Sequence, residues 1–322
     1  MSRALRWLRR WGISFASLGG GILTLFVFRR GLPNVAWIIG YLLIFWLLVS
    51  LITHVRAAAH RLVTTAVDYT IQTLNHGLLL FVLPAYYEAS TLTSVNVVFV
   101  VVLTALILLA TFDPWYRTLV HPRPWLASVL FVVSIFAALN VALPLLGVRP
   151  YVALLLSAWA SVVAITPAVR GAFAGSWASA VLATSMGGVA AAALVGVGCV
   201  AIPPAPLFVA RANLMWNVGT VDSLEPRAHA IRVDDLRRHG LTAYTAIYAP
   251  AGLRQPVAHV WKQDGRVHDV VRFKAVAGGR REGYRTFSRK TSFPADPIGR
   301  WTVDVMTTSG QLIGRLSFRV VA

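Results

Sequence analysis

Long apolar runs separated by short polar or basic breaks fill residues 1–205. Each run approaches the ~20 residues that a helix needs to cross a bilayer core roughly 30 Å thick. The predicted spans are 11–29, 33–53, 66–86, 92–112, 125–146, 150–169 and 178–201. The pattern therefore predicts a membrane all-α bundle of seven transmembrane helices.

The pattern changes after the proline-rich segment Ile202–Pro206. Short runs rich in Val, Ile, Thr and aromatic residues follow, bounded by turn residues, and this is typical of β-strands. The predicted strands are Leu241–Tyr248, Val257–Gln263, Val267–Val276, Tyr284–Thr291, Trp301–Thr307 and Leu312–Val321. Asp264-Gly265 and Ser309-Gly310 fit tight hairpin turns, because glycine supplies the positive φ that such turns need. We expect an antiparallel β-sandwich.

Three regions follow from these patterns. We expect a transmembrane domain over 1–205, a linker and lead-in over 206–234, and an extracytoplasmic β-sandwich domain over 235–322. Within the lead-in, Val233–Arg238 suits a short helix or turn.

The composition excludes a soluble globular protein and a disordered one. Hydrophobic residues make up 57% of the chain and charged residues only 13%, whereas soluble domains carry about 25% charged residues. The net charge is +18, which by itself would suggest a nucleic-acid partner. The single cysteine, Cys199, does not decide the redox compartment.

The distribution of arginine predicts the orientation in the membrane. Cytoplasmic loops carry an excess of basic residues, and nine arginines against three fall on one side when the N-terminus is cytoplasmic. Seven spans then place the C-terminal domain, with 18 basic and 9 acidic residues over 211–322, in the periplasm of a bacterial inner membrane. We therefore expect no nucleic-acid partner.

Several short blocks in the C-terminal region carry a family resemblance. They are Ala258–Trp261, Asp264-Gly265, Arg285–Lys290, Gly299–Val305, Ser309-Gly310 and Phe318–Val320. In order and spacing they resemble the bacterial Domain of Unknown Function 2914, although Tyr284 stands where that family usually has Trp. The seven-helix part resembles Domain of Unknown Function 5924, which often precedes it. Neither resemblance implies an activity or a catalytic residue.

A polar stripe interrupts the third predicted span. Asp68, Gln72, Asn75 and His76 share one helical face. Polar groups at this depth usually face a bundle interior or a water-filled cavity. The stripe predicts either a proton or solute pathway, or interhelical hydrogen bonds that fix packing, with Asn96 and Asn140 as candidate partners.

Histidines raise the question of a metal or haem. His54, His60 and His121 lie on the cytoplasmic side, and His76 lies near the middle of the third predicted span. Three of the four fall at loop edges, whereas haem ligands should lie at matched depth on facing helices. We expect no cofactor and no metal.

Basic and aromatic residues of the C-terminal domain form the second candidate site. We predict a ligand-binding surface of His259, Trp261, Arg272, Lys274, Arg285, Arg289, Lys290, Arg315 and Arg319. Arginine forks suit phosphate and carboxylate groups. Two alternatives stand beside this hypothesis: Trp261 and Trp301 form the core with His259 at its edge, or the arginines are a solvated surface.

The sequence thus predicts a non-catalytic inner-membrane protein with a basic periplasmic β-sandwich. The sandwich would bind an anionic envelope component (a lipid headgroup, lipopolysaccharide or a glycan) or a partner protein. The alternative is a small-solute or proton transporter or channel that uses the polar stripe. An enzyme acting on a lipid-linked substrate is a third class, with Glu88 as its lone candidate acid.

Overall fold

The structure is a computed structural model, and it describes residues 61–173, 175–216 and 230–322. The described chain forms two compact units. The helical unit consists of 61–84, 100–143 and 152–198, and the β-unit consists of 85–99, 144–151 and 199–322. The β-unit therefore includes two connections between helices as well as the C-terminal region.

Apolar sequences form the helices where they were predicted in the described part of the chain. The helices are α1 (Arg61–Glu88), α2 (Val97–Thr111), α3 (Pro124–Leu145), α4 (Pro150–Val163), α5 (Thr166–Phe173) and α6 (Trp177–Val197). Proline begins α3 and α4, a position where its missing N–H costs nothing. Ser176 caps α6 by accepting a hydrogen bond from the Ser179 backbone N–H at 3.1 Å. The prediction of a helical N-terminal region is confirmed.

The described residues contain only some of the seven predicted spans. Three helical stretches are long and apolar enough to cross a membrane, at Pro124–Leu145, Pro150–Gly171 and Trp177–Val197. The span predicted at 92–112 is a shorter helix, α2, which bends by 90° into Asp113–Val120. Pro114 lies directly after this bend, where it can begin a helix but cannot continue one. The predicted spans 11–29 and 33–53 lie outside the described residues.

Two main β-sheets form the C-terminal region, as predicted. The strands are β1 (Phe208–Met215), β2 (Ala230–Arg232), β3 (Leu241–Tyr248), β4 (Arg254–Gln255), β5 (Val257–Gln263), β6 (Arg266–Arg272), β7 (Val276–Ala277), β8 (Tyr284–Lys290), β9 (Gly299–Thr307) and β10 (Leu312–Val321). The three-stranded sheet has the order β1-β3-β8, and the five-stranded sheet has the order β2-β10-β9-β5-β6. The strands β4 and β7 pair with each other.

Three details differ from the sequence prediction. The stretch 206–234, predicted as a linker, contains β1, which pairs with β3 along almost its whole length. It also contains β2, which pairs with β10 in parallel, so the sheets are not purely antiparallel. The strand predicted at 267–276 ends earlier, as β6, and a separate short strand β7 follows it. The predicted short helix is present as α7 (Val233–His239).

Both main sheets contribute side chains to one hydrophobic core. Trp261 on β5 and Trp301 on β9 are fully buried in it, together with Ile247 from β3. The Trp301 ring stacks on Phe318, with centroids 6.1 Å apart, and Phe293 packs edge-on against the same indole at 5.5 Å. The alternative that both tryptophans are core residues is therefore confirmed.

One helical connection is attached to the β-unit by side-chain hydrogen bonds. Asn96 is fully buried, and its amide donates to the Leu312 carbonyl at 3.2 Å. Arg315 Nη1 donates to the Thr93 carbonyl at 3.1 Å. These bonds attach the 85–99 connection to β10 within one compact unit.

The role of β1 and β2 can be tested by truncation. A fragment of 235–322 lacks both strands, together with the core residues Leu207 and Ile231. Burial of each such side chain contributes about 1.5–3 kcal/mol, which is a large share of a stability of about 5–15 kcal/mol. We expect the 235–322 fragment to unfold at a clearly lower urea concentration than a 199–322 fragment, followed by tryptophan fluorescence. Equal midpoints would show that the two strands are dispensable.

Candidate functional site

Two residues of the predicted binding surface lie in the core instead. His259 and Trp261 are both 0% exposed. Trp261 Nε1 donates to Ser288 Oγ at 3.0 Å, and His259 Nδ1 lies 2.8 Å from the same oxygen. The structure therefore removes His259 and Trp261 from the predicted surface, because Ser288 and Thr245 on the other sheet satisfy their polar atoms inside the core.

The hydrogen bonds around His259 form one chain between the two sheets. The indole N–H can only donate, so Ser288 accepts it, and with the imidazole proton placed on Nε2 the Ser288 hydroxyl donates to His259 Nδ1. His259 Nε2 then donates to Thr245 Oγ1 at 2.9 Å, and Thr245 is 2.7 Å from Thr286 Oγ1. This assignment uses a neutral imidazole. Burial lowers the pKa of His259 to about 4, in agreement with a neutral ring.

A buried carboxylate binds two further basic residues. Asp304 on β9 is 1% exposed, and Arg315 donates to both of its oxygens, through Nε and through Nη2 at 2.9 Å. Lys262 Nζ on β5 lies 2.7 Å from Asp304 Oδ2. Burial alone would raise the pKa of Asp304, but the hydrogen bonds and charges of Arg315 and Lys262 outweigh it and hold this pKa below its ordinary value.

Arg315 therefore has a structural role rather than the predicted ligand-binding one. The hydrogen bond with Asp304 raises its pKa above the ordinary value for arginine, and its third nitrogen is bonded to the Thr93 carbonyl. All three guanidinium nitrogens have partners within the protein.

The remaining predicted residues do not form one surface. Arg285 and Arg289 are exposed on β8, in the three-stranded sheet. Arg272 and Lys274 are exposed at the end of the edge strand β6 and just beyond it. The side chain of Lys290 is only 10% exposed and lies 3.3 Å from Asp269. Arg319 belongs to a groove on the five-stranded sheet.

This groove is the concave site that we identify in the β-unit. It is an open groove of about 530 Å³, lined by Asp264, Gly299, Arg300, Ser317, Phe318 and Arg319. Arg300 on β9 pairs in register with Arg319 on β10, and both side chains are exposed. Like charges directly opposite each other on neighbouring strands are destabilising. An anion bound between the two guanidinium groups would remove that repulsion.

The sequence prediction missed Arg300, although a signal for it is present. The strands β9 and β10 are joined by the Ser309-Gly310 turn. Beyond Gly314, residues at equal distances from this turn lie opposite each other, which places Arg300 opposite Arg319. Because the two arginines are 19 positions apart in the sequence, their proximity becomes evident only when the hairpin register is applied.

The predicted polar stripe of α1 forms hydrogen bonds to other parts of the helical unit. Gln72 Nε2 donates to the Ala110 carbonyl at 2.9 Å and to Asp113 Oδ1 at 2.8 Å. Asn75 Oδ1 accepts from Ser134 Oγ on α3 at 2.9 Å. Such bonds fix helix packing, and they favour the packing interpretation of the stripe. His76 is buried on the same helix.

The other residue of the stripe lies closer to the surface. Asp68 is 3.6 Å from His121, whose side chain is 60% exposed. His54 and His60 lie outside the described residues. Within 61–173, 175–216 and 230–322, no group of three or more His, Cys, Asp and Glu side chains could hold a metal ion.

We expect the stability of the β-unit to depend on pH through His259. The pKa is about 4 when folded and about 6.5 in an unfolded chain, so the unfolded state binds more protons between these values. Stability is therefore fully present above pH 6.5 and falls as the pH drops to 4, by about 3 kcal/mol in total. Urea unfolding of the full chain in an uncharged detergent, followed by tryptophan fluorescence at several pH values, measures this loss.

His259→Gln should flatten that pH dependence. The exposed His239 provides the control, because His239→Gln should leave the pH dependence unchanged. A wild-type protein equally stable at pH 7 and pH 4.5 would contradict the buried neutral histidine.

The Asp304 cluster predicts a large effect of a small substitution. Asp304→Asn removes the charge that compensates Arg315 and Lys262, and removing one partner of a buried ion pair costs about 3–5 kcal/mol. Glu282→Gln is the matched control, since Glu282 and its ion-pair partner Arg285 are both exposed, at 71% and 67%. Its cost should stay below about 1 kcal/mol. The urea midpoints of the two variants, measured in the full chain, compare the two losses of stability. Equal midpoints would contradict the predicted role of Asp304.

Two family models match the chain, and both agree with the resemblances found in its sequence. The model described as "Protein of unknown function (DUF2914)" matches 254–320. The model described as "Family of unknown function (DUF5924)" matches 1–243. No curated protein matches the chain, and no solved structure matches it. Because the second model covers more than half of the chain, the protein belongs to the DUF5924 family, with a DUF2914 region at its C-terminal end.

Proposed function

We propose that the protein is a non-catalytic protein of the bacterial inner membrane whose β-unit binds an anionic component of the envelope. The N-terminal part crosses the membrane with seven helices from a cytoplasmic N-terminus. The β-unit is a periplasmic β-sandwich that holds its ligand in the groove between Arg300 and Arg319.

Exposed apolar side chains support the membrane part of the proposal. In α6 these side chains point outward along the whole helix, at Val181, Leu182, Met186, Val189, Leu194 and Val197. Soluble proteins rarely expose contiguous apolar patches of this kind. The helix α2 adds Val98, Val101 and Val102. Lipid chains would cover such faces without an energetic penalty.

The segments of the chain that form the β-unit support the proposed orientation in the membrane. The connections 85–99 and 144–151 belong to the same compact unit as the sheets. Under the predicted topology, these two connections and the C-terminal domain all lie on the periplasmic side. Asn96 and Arg315 supply hydrogen bonds that agree with this arrangement.

The single observation that carries the ligand proposal is the exposed in-register pair Arg300 and Arg319. Its electrostatic repulsion is uncompensated by any ion pair among the described residues, and an anion between the guanidinium groups supplies the missing charge. Ser317, which also lines the groove, offers a hydroxyl donor to the same anion.

The proposal is tested with the full-length protein in dodecyl maltoside, an uncharged detergent. Phosphatidylglycerol in mixed micelles, lipopolysaccharide and polygalacturonate are titrated separately at two salt concentrations. We expect at least one of them to bind, and to bind more weakly at the higher salt. Arg300→Gln/Arg319→Gln should weaken that binding about tenfold or more, because each charge-assisted hydrogen bond is worth about 1.5–3 kcal/mol.

The control removes the same amount of charge elsewhere. Arg238 and Arg254 are exposed outside the groove, so Arg238→Gln/Arg254→Gln should change the affinity less than twofold. Equal losses of affinity in both double variants would show that binding depends on net charge alone, and would overturn the groove as the binding site. Absence of binding by all three probes would overturn the anionic ligand and favour a partner protein.

A further inference from the structure

The groove between Arg300 and Arg319 is not uniformly basic. Asp264 also lines it, from the two-residue turn between β5 and β6. Its φ is +48° and that of Gly265 is +85°, as a tight hairpin turn of this kind requires. The turn therefore fixes a carboxylate at the edge of an arginine-lined groove.

The backbone of Arg300 holds that carboxylate in place. Asp264 Oδ1 accepts the Arg300 backbone N–H at 2.9 Å, and the Asp264 N–H donates to the Arg300 carbonyl at 2.8 Å. The second oxygen, Oδ2, lies only 2.5 Å from the position that a Cβ at Gly299 would take. Glycine at 299 thus leaves the room that the carboxylate occupies.

The carboxylate does not neutralise the arginines by direct contact. Among the described residues, the ion pairs involve Asp68, Asp269, Glu282 and Asp304, and none involves Asp264. The groove consequently has a positive side, with Arg300 and Arg319, and a negative group on the turn. A ligand that is only anionic would make no favourable contact with Asp264 and would be repelled by its charge.

We propose that the groove binds a dipolar group, a phosphate ester that also carries a primary ammonium. The phosphate lies between Arg300 and Arg319 and accepts a hydrogen bond from Ser317, and the ammonium donates to Asp264 Oδ2. This inference rests on the proposed function, since it names the ligand class of the same groove. The phosphoethanolamine unit has this chemistry, whether it is a lipid headgroup or a soluble compound.

The test compares two soluble probes that differ in the amine alone. O-phosphoethanolamine and ethyl phosphate are titrated into the full-length protein in dodecyl maltoside by calorimetry. We expect the wild-type protein to bind O-phosphoethanolamine about tenfold more tightly than ethyl phosphate, because a second charge-assisted hydrogen bond forms.

Asp264→Asn is the decisive variant. Asparagine keeps an oxygen for the Arg300 N–H and tolerates the positive φ of the turn, so the local structure should persist. We expect this variant to lose the tenfold preference and to bind ethyl phosphate at least as tightly as the wild-type protein does. A preference that persists in Asp264→Asn would overturn the role of Asp264.

The outcomes separate this inference from the proposed function. Equal wild-type affinities for both probes, with binding lost in Arg300→Gln/Arg319→Gln, would overturn the dipolar ligand and leave the anion site standing. Absence of binding by both probes, together with negative lipid and glycan titrations, would overturn both. Competition of O-phosphoethanolamine with phosphatidylethanolamine micelles supports a lipid source, and binding of the soluble probe without such competition supports a soluble one.

Discussion

The need to compensate one buried carboxylate organises much of the β-unit. Asp304 is almost completely inaccessible, and an ionised carboxylate in such a place is very costly unless charged donors surround it. Lys262 and Arg315 supply these donors from the two strands that flank β9. A shift of either strand by one residue would turn its basic side chain to the opposite face. The cluster thus fixes the register of β5, β9 and β10, and with it the position of Arg319 opposite Arg300.

The sequence predicted those parts of the fold that depend on local patterns. The strands β3, β5 and β10 have the bounds that their composition and the flanking turn residues indicated, and the Asp264-Gly265 turn joins β5 and β6. The strand β1 was missed because its central residues are exposed on both faces, which leaves no period-two signal. The short parallel strand β2 was missed because three residues carry too little pattern.

The candidate site depended on tertiary structure much more than the elements did. The sequence leaves open whether His259, two positions before Trp261, lies on a ligand-binding surface or beside the core. The burial of His259 depends on Ser288 and Thr245, 29 and 14 positions away, which satisfy its ring nitrogens. Arg319 was predicted as a ligand residue, but its partner Arg300 follows only from strand register. Lone arginines in an arginine-rich chain do not indicate which of them will meet in space.

The two family matches divide the chain in the sequence but not in the sheets. The DUF5924 match ends at 243 and includes β1 and β2. The DUF2914 match begins at 254 and includes β8 and most of β10. Yet β1 and β8 both pair with β3, and β2 pairs with β10. Each sheet is therefore built from both regions. A boundary near residue 250 therefore falls inside one compact unit.

The strand β10 also determines how far the groove lies from the helical connection. Asn96 holds this strand at Leu312, and Arg319 lies seven residues further along it. At a rise of about 3.4 Å per residue, the two points are separated by about 24 Å. Because β10 is paired with β9 between these points, this separation cannot shorten while the sheet is intact. The paired strand therefore keeps Arg319 at a constant distance from the point where Asn96 joins the connection to the sheet.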